Sequence, residues 1–235
     1  MLLLATPALA QDGWEFAITP YVWLPSLTNT LHTQFGSFTS DTSSSDTLSN
    51  LDMAFMAALE ARHGKFSLIG DLLYVDLSSN TDTPLGDLFK SVDTDLRTTA
   101  FSGYALYRVT ETPHVALDLG GGFRAYSLKL DTTLEAGRLE EQNFDLSEEW
   151  VDPLLAARVI GTFNEHWSAN AVLDVGGFDG QNDSTWQALA SVNYAINDRW
   201  TVRGGWRYLD IQKEISGLKV ETELNGPIIG VGYRF

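Results

Sequence analysis

Ten stretches of the chain alternate apolar residues with polar or small ones, and each fits a tilted membrane-spanning β-strand of about 9–11 residues. The last stretch, 226–235, places aromatic and β-branched residues on one face, and mainly glycines and an arginine on the other. A period of two is that of a β-strand. The stretch ends on Phe235, and a terminal aromatic residue after an apolar strand is typical of the strand that closes an outer-membrane barrel. The alternation therefore predicts an all-β chain.

Two kinds of connection alternate between these stretches. Short turns are expected at 63–65, 109–113, 164–166 and 197–199, and longer, polar connections at 25–50, 78–95, 129–149, 179–184 and 213–218. Short turns on one side, long loops on the other and both termini on the short side predict an up-and-down antiparallel transmembrane β-barrel of about ten strands. Eight or twelve strands are the alternatives. Twelve would result if residues from Thr28 onward extend the first strand, turn at Gly36 and return.

The period alone does not say whether the apolar face points outward to lipid or inward to a pocket, as in a soluble lipocalin-like barrel. Arginines and carboxylates dominate the polar face, while lysines lie in turns and loops. Arginine forks pair with carboxylates in enclosed, partly desolvated spaces. Aromatic residues also cluster beside the short turns, as in a membrane girdle: Trp14, Phe66, Tyr107, Phe163, Trp167, Trp200 and Phe235. These features favour a membrane barrel with its polar face inside.

The inward face then carries seven arginines and five acids: Glu15, Glu60, Arg62, Asp71, Arg108, Asp118, Arg124, Arg158, Asp174, Arg203, Arg207 and Arg234. Buried arginines without partners are costly, so we predict that this set forms a charge network that keeps the barrel rigid. Inward aromatic side chains add bulk to the lumen: Tyr21, Trp23, Tyr104 and Tyr126.

Composition limits the class of protein. The formal net charge of −16, without a basic cluster, argues against nucleic acid as a partner, and the absence of cysteine excludes disulfides and thiol chemistry. Ala8-Leu9-Ala10 follows an apolar stretch and is typical of a signal-peptide cleavage site. We therefore expect residues 1–10 to be a truncated secretory signal peptide and 11–235 a single barrel, with the mature protein starting at Gln11. A short buried strand at 1–10 is the alternative.

Several stretches in a fixed order resemble those of uncharacterised proteobacterial outer-membrane β-barrel proteins. They are Thr19-Pro20-Tyr21-Val22-Trp23, Gly70-Asp71-Leu72-Leu73-Tyr74, Trp150-Val151-Asp152-Pro153, Asp174-Val175-Gly176-Gly177-Phe178, Ser184-Thr185-Trp186-Gln187, Gly205-Trp206-Arg207-Tyr208-Leu209 and Gly226-Pro227. The resemblance spans the mature chain except the segment 129–149. It implies a single barrel in the outer membrane and lends neither an activity nor a catalytic residue.

Barrel enzymes of this membrane use a histidine together with Asp, Ser or Glu near the outer rim. Here His63, His114 and His166 fall in or beside the short turns. Only His32 is expected on the outer side, in a Thr-rich stretch without an obvious base or orienting partner. We therefore predict no catalytic residue, and an outer-membrane enzyme is the weaker alternative.

Two stretches of the sequence have residues that could form a metal or phosphate site. An acidic run offers hard oxygen ligands for calcium or magnesium: Asp131, Glu135, Glu140, Glu141, Asp145, Glu148, Glu149 and Asp152. It has no EF-hand loop or Gly-Asp repeat, so a solvated, repulsive surface is favoured. The glycine-rich stretch 174–180 is better explained by bending or by close contact with a neighbouring ring. We predict no metal site and no cofactor.

The sequence thus predicts an integral protein of the Gram-negative outer membrane with a charged, side-chain-filled lumen and acidic extracellular loops. A structural or interaction role is favoured, because ten strands lie closer to a filled barrel than to an aqueous pore. A narrow, porin-like passive channel that prefers anions is the alternative. The expected partners are lipid and the barrel-assembly machinery, which would recognise Tyr233 and Phe235 in the last strand. The oligomeric state is left open.

Overall fold

The computed structural model describes residues 13–33, 36–82, 88–178, 183–215 and 218–235. The predicted signal peptide and the mature start at Gln11 lie outside the described residues. So do Asp179 and Gly180 of the glycine-rich stretch.

The described chain is almost entirely β-strand. The elements are β1 (Glu15–Trp23), β2 (Ser26–Thr33), β3 (Gly36–Thr42), α1 (Ser44–Ser49), β4 (Leu51–His63), β5 (Phe66–Asp82), β6 (Phe89–Glu111), β7 (Val115–Ala136), β8 (Gln142–Thr162), β9 (Trp167–Gly176), β10 (Ser184–Ala195), β11 (Trp200–Ile215) and β12 (Leu218–Arg234). Among the described residues, no helix is both long and apolar enough to cross a membrane.

Ten strands close into an antiparallel barrel in the order β1, then β4 through β12, with β12 pairing back onto β1. The closing ladder sets Ile18 opposite Tyr233, and the Phe235 N–H donates to the Phe16 carbonyl at 3.0 Å. The prediction of an up-and-down, all-β barrel of about ten strands is confirmed. The strands of the twelve-strand alternative also exist, but β2 continues the β1–β12 ladder in the same register, and β2 and β3 form a hairpin that extends the wall without adding to the closed ring of ten.

The long connections are shorter than the sequence predicted. The segment 129–149 was expected to be a loop, but it belongs largely to β7 and β8, with only 137–141 between them. Likewise β5 and β6 occupy most of 78–95, and β2, β3 and α1 occupy most of 25–50. Beyond a membrane both faces of a strand meet water, so the ladder continues although the apolar alternation fades.

Exposed apolar side chains form a band around the barrel. On β11 the even positions are exposed up to Trp206, which is 53% exposed, and on β12 Val231 and Ile229 are exposed at 40% and 60%. The opposite positions, such as Arg207 and Gly230, are buried. This is the face assignment that the period of two predicted, and it puts the short turns at one rim of the barrel.

The outward assignment predicts the cost of a charge in the band. Ala190→Arg, in the middle of β10 and on its exposed face, should lower the free energy of unfolding by about 2–4 kcal/mol in lipid vesicles, because the guanidinium would face hydrocarbon. Phe144→Arg is the control, since Phe144 is also exposed but lies in the hairpin beyond the band, and it should change stability little. Equal losses in the two variants, measured by urea unfolding, would contradict the assignment.

Candidate functional site

The most buried charges of the barrel interior are Arg124 on β7 and Asp174 on β9. The Arg124 guanidinium donates to both Asp174 carboxylate oxygens at 3.0 Å. It also donates to Tyr104 Oη and Ser102 Oγ on β6, each at 2.8 Å. The Tyr104 hydroxyl in turn donates to Asp174 at 3.0 Å. These mutual bonds satisfy a guanidinium that has no contact with solvent.

A chain of hydrogen bonds leads from this pair to the opposite wall. Gln187 on β10 donates to Asp174 at 2.9 Å and accepts from Arg207 on β11 at 2.8 Å. Arg207 forms an ion pair with Asp71 on β5 at 2.9 Å and donates to the Tyr21 hydroxyl at 3.0 Å. Because β5 and β11 lie on opposite sides of the ring of strands, these bonds cross the lumen.

A second layer of ion pairs is centred on Asp118 of β7. This carboxylate accepts from Arg108 on β6 at 2.7 Å and from Arg158 on β8 at 2.8 Å. Arg158 also reaches across the lumen to Glu60 on β4 at 2.8 Å. A buried acid thus bridges two buried arginines, and Glu60 and Glu111 supply the further negative charge that the pair of arginines needs.

Beside the Arg207 bonds lies an apolar layer, of which the sequence predicted only Trp23. Trp23 is 2% exposed and packs with Met56, Leu73 and Leu209, all on the inward face. The guanidinium of Arg207 lies over the Trp23 ring, 4.8 Å from its centroid, as in a cation–π contact. Only the position of these residues on the polar face could have indicated that they line the lumen.

The other predicted network residues surround cavities at the short-turn end. A cavity of about 320 Å³ is lined by Glu15, Glu60, Arg62, Arg158, Arg203 and Arg234. A second one, of about 150 Å³, shares several of these residues and reaches Tyr21, Asp71 and Arg207. Arg62 lies opposite Glu15 in the ladder, but its ion pair is with Glu111 at 3.8 Å. The Arg203 Nε is buried and has no hydrogen-bond partner among the described residues. The lining therefore has more arginines than carboxylates.

The expectation that His32 lacks a partner was wrong. Its Nε2 lies 3.4 Å from Glu221 on β12, and its Nδ1 lies 2.9 Å from the hydroxyl of Ser37 on β3. Pairing of β2 with β12 and with β3 brings these residues together, and no sequence pattern predicts that pairing. The other histidines lie in or beside the short turns, as predicted.

The acidic run does not gather at one point. It is spread along β7 and β8, with Glu140 and Glu141 between the strands. Asp152 differs from the rest, because it is buried at 3% exposure and accepts a hydrogen bond from the Trp150 indole at 3.2 Å. In the glycine-rich stretch, a Cβ on Gly176 would lie 2.4 Å from the Pro153 carbonyl oxygen, and Gly177 has φ +80°. Close packing thus accounts for Gly176, and a turn with positive φ accounts for Gly177.

Comparison with known proteins bears on this arrangement. The family model for the outer membrane protein beta-barrel domain matches residues 1–235. A search of curated proteins found no match. Among solved structures, the outer membrane protease OmpT from Escherichia coli is similar with a TM-score of 0.61 and 10% identity, over 98% of this chain and 100% of that one.

Two other solved barrels are less similar. The toluene transporter TodX from P. putida has a TM-score of 0.40 and 10% identity, over 96% of this chain and 91% of that one. Ail from Yersinia pestis has a TM-score of 0.35 and 13% identity, over 96% of this chain and 100% of that one. At such identities the likeness concerns the fold alone.

The buried pairs predict unequal costs for removing acids. Asp118→Ala or Asp174→Ala should lower the free energy of unfolding by about 3–5 kcal/mol, because each removes a buried carboxylate from desolvated guanidinium groups. Glu141→Ala, at an exposed position, should be close to silent. Urea unfolding of the refolded protein measures both.

A double variant separates the charge from the packing. Asp174→Leu combined with Arg124→Met should be more stable than Asp174→Leu alone, because it removes the stranded charge as well. If Asp174→Ala and Glu141→Ala lower the free energy of unfolding by the same amount, the network has no structural role.

Proposed function

Because this chain belongs to the outer membrane protein beta-barrel domain family, we propose that it acts in that membrane as a closed-lumen structural or interaction barrel. The observation that carries the proposal is the set of bonds from Arg124 and Asp174 through Gln187 to Arg207 and Asp71. Such bonds hold strands on opposite walls at fixed distances. They also occupy the path that a solute would take.

The apolar layer supports the same role. A hydrated pore is normally lined by polar side chains, whereas Trp23, Met56, Leu73 and Leu209 are buried against one another inside the barrel. Permeation would have to displace both this layer and the ion pairs beside it. Interactions with other molecules would then use the outside of the barrel.

The hairpins formed by the three longest strands extend beyond the membrane and offer a surface for binding other molecules. β6, β7 and β8 have 23, 22 and 21 residues, about twice what a membrane span needs. Their far ends are acidic and also expose Leu139, Phe144 and Leu146. Exposed apolar groups among like charges fit a partner with a basic, partly apolar surface.

A narrow channel is the second candidate. The cavities at the short-turn end have an excess of arginine, and the Arg203 Nε there has no described hydrogen-bond partner. A positive lining attracts anions and repels cations. Any current through this barrel should therefore prefer anions.

We do not propose an enzyme. The likeness to the protease OmpT is one of fold. His32, Ser37 and Glu221 are neighbours across adjacent strands, and ordinary ladder pairing accounts for their contacts. A hydrolase site would also need donors for a developing oxyanion, and the described residues around Ser37 do not suggest such a set.

Export and assembly complete the proposal. Residues 1–10 would act as a secretory signal, and the last strand, with Tyr233 and Phe235, would be recognised by the barrel-assembly machinery. The Tyr233 ring lies between Trp200 and Phe235, with centroids 4.8 Å and 5.2 Å away. Lipid would cover the apolar band.

Conductance in planar bilayers tests the closed lumen. The purified barrel should give no steady ohmic openings, because bonded side chains cross its interior. Steady openings would refute the proposal. If they preferred anions and reversed their preference in Arg203→Glu, the channel candidate would replace it.

Trypsin treatment of intact cells tests the orientation. Arg138 lies between β7 and β8, whereas Lys65 and Arg199 lie in short turns at the other rim. Trypsin should cut after Arg138 and spare the two turns, and Arg138→Gln should abolish the cut. Cleavage at Lys65 or Arg199 in intact cells would mean the opposite orientation.

A further inference from the structure

Three carboxylates converge on the outer surface of the barrel, outside the lumen network. Asp210 on β11 lies directly opposite Glu223 on β12, and Glu221 is the next residue on the same face of β12. One carboxylate oxygen from each of the three lies within 4.8 Å of the others. The β11–β12 ladder is regular throughout, so these residues share the face of Trp206 and Ile229. The cluster therefore faces outward.

Asp210 is unusual within this cluster. It is only 4% exposed, and its Oδ1 is buried without a hydrogen-bond partner among the described residues. The Gln212 side chain hydrogen-bonds the Asp210 carboxyl and also lies 3.4 Å from Glu221, which has a second contact with His32 Nε2 at 3.4 Å. A buried carboxylate oxygen without a donor is costly unless something else binds it.

The surroundings increase that cost. Burial, together with the charges of Glu221 and Glu223, raises the pKa of the Asp210 carboxyl to about 6, although Gln212 and Lys219 oppose the rise. The acids nevertheless stay together, because consecutive ladder pairs hold β11 and β12 in register around them. A cation bound among the three oxygens would remove their repulsion.

We propose that Asp210, Glu221 and Glu223 form a binding site for a hard divalent cation. Three convergent carboxylate oxygens are the ligands that such ions prefer. Calcium accepts irregular sets of oxygen ligands, whereas magnesium demands near-octahedral geometry, so a site built from the side chains of two adjacent strands favours calcium. The other coordination positions would be open to water or to an external anionic oxygen.

The position of the three carboxylates along the barrel axis would bring a bound cation close to the anionic oxygens of lipid headgroups. Asp210 follows Trp200 by ten residues, and Glu223 precedes Tyr233 by ten. Ten residues of a tilted strand cover about 25 Å, the height of the apolar band of such barrels. The cluster therefore lies just past the band, next to Trp186 and Tyr208, whose rings are 4.6 Å apart. The site would lie at the level of the outer-leaflet headgroups.

Terbium luminescence tests the site directly. Terbium replaces calcium in oxygen-ligand sites and emits when a nearby tryptophan is excited, and Trp186 lies opposite Asp210 on β10. The refolded, metal-stripped protein in detergent should bind terbium saturably, and calcium should compete. Asp210→Asn should weaken both terbium and calcium binding about tenfold or more. Glu141→Gln, in the acidic hairpin, is the matched control and should change neither.

Thermal unfolding provides a readout that is independent of luminescence. Calcium should raise the melting temperature of the wild type but not that of Asp210→Asn. Without calcium, Asp210→Asn should melt higher than the wild type, because it removes a repelling charge. If Asp210→Asn does not refold, as judged by heat-modifiable gel mobility, Glu223→Gln takes its place in both measurements.

Three results would overturn the proposal. One is terbium luminescence that added calcium does not reduce. Another is unchanged calcium binding in Asp210→Asn or, if that variant does not refold, in Glu223→Gln. The third is a loss of binding in Glu141→Gln instead, which would assign the ion to the acidic hairpin.

Discussion

A backbone inside hydrocarbon has no water to bond with, so every amide and carbonyl in the span needs a partner within the protein. This chain meets that requirement by pairing β12 with β1, which leaves no open sheet edge in the barrel. Closure divides the side chains between lipid and a narrow interior. The apolar band, the aromatic residues near the short turns and the charged lumen all depend on that division. The hairpins beyond the band continue the same ladders but face water on both sides.

The interior follows from the properties of arginine. A guanidinium stays charged at any physiological pH, so its burial requires acceptors on several sides. Arg124, Arg158 and Arg207 each bond to residues from at least two other strands. Acids such as Asp118 serve two arginines at once. The interior is therefore joined into layers rather than isolated pairs, and layers of this kind resist widening of the barrel.

How much the sequence could predict depended on the solvent at each face. Within the band, lipid and lumen impose different residues, so the alternation predicted the strands and the inward position of Asp118 and Arg124. Beyond the band both faces meet water, and 129–149 therefore looked like a loop. Met56 and Leu73 are apolar residues at inward positions, and that position alone indicated an inner apolar layer, because apolar residues usually face lipid. The sequence could not predict which charges pair. Arg158 and Glu60 meet across the lumen, and Asp210 meets Glu223 only in one register of β11 and β12.

The ladder between β1 and β12 joins residues more than two hundred positions apart, such as Ile18 and Tyr233. Contacts of such long range form late and slowly, since most of the chain must be ordered before they can be made. Until then the first and last strands expose unpaired edges and apolar faces, which favours aggregation in water. A chain with this topology therefore needs protection during its passage to the membrane. Its slowest folding step should be the meeting of its two ends.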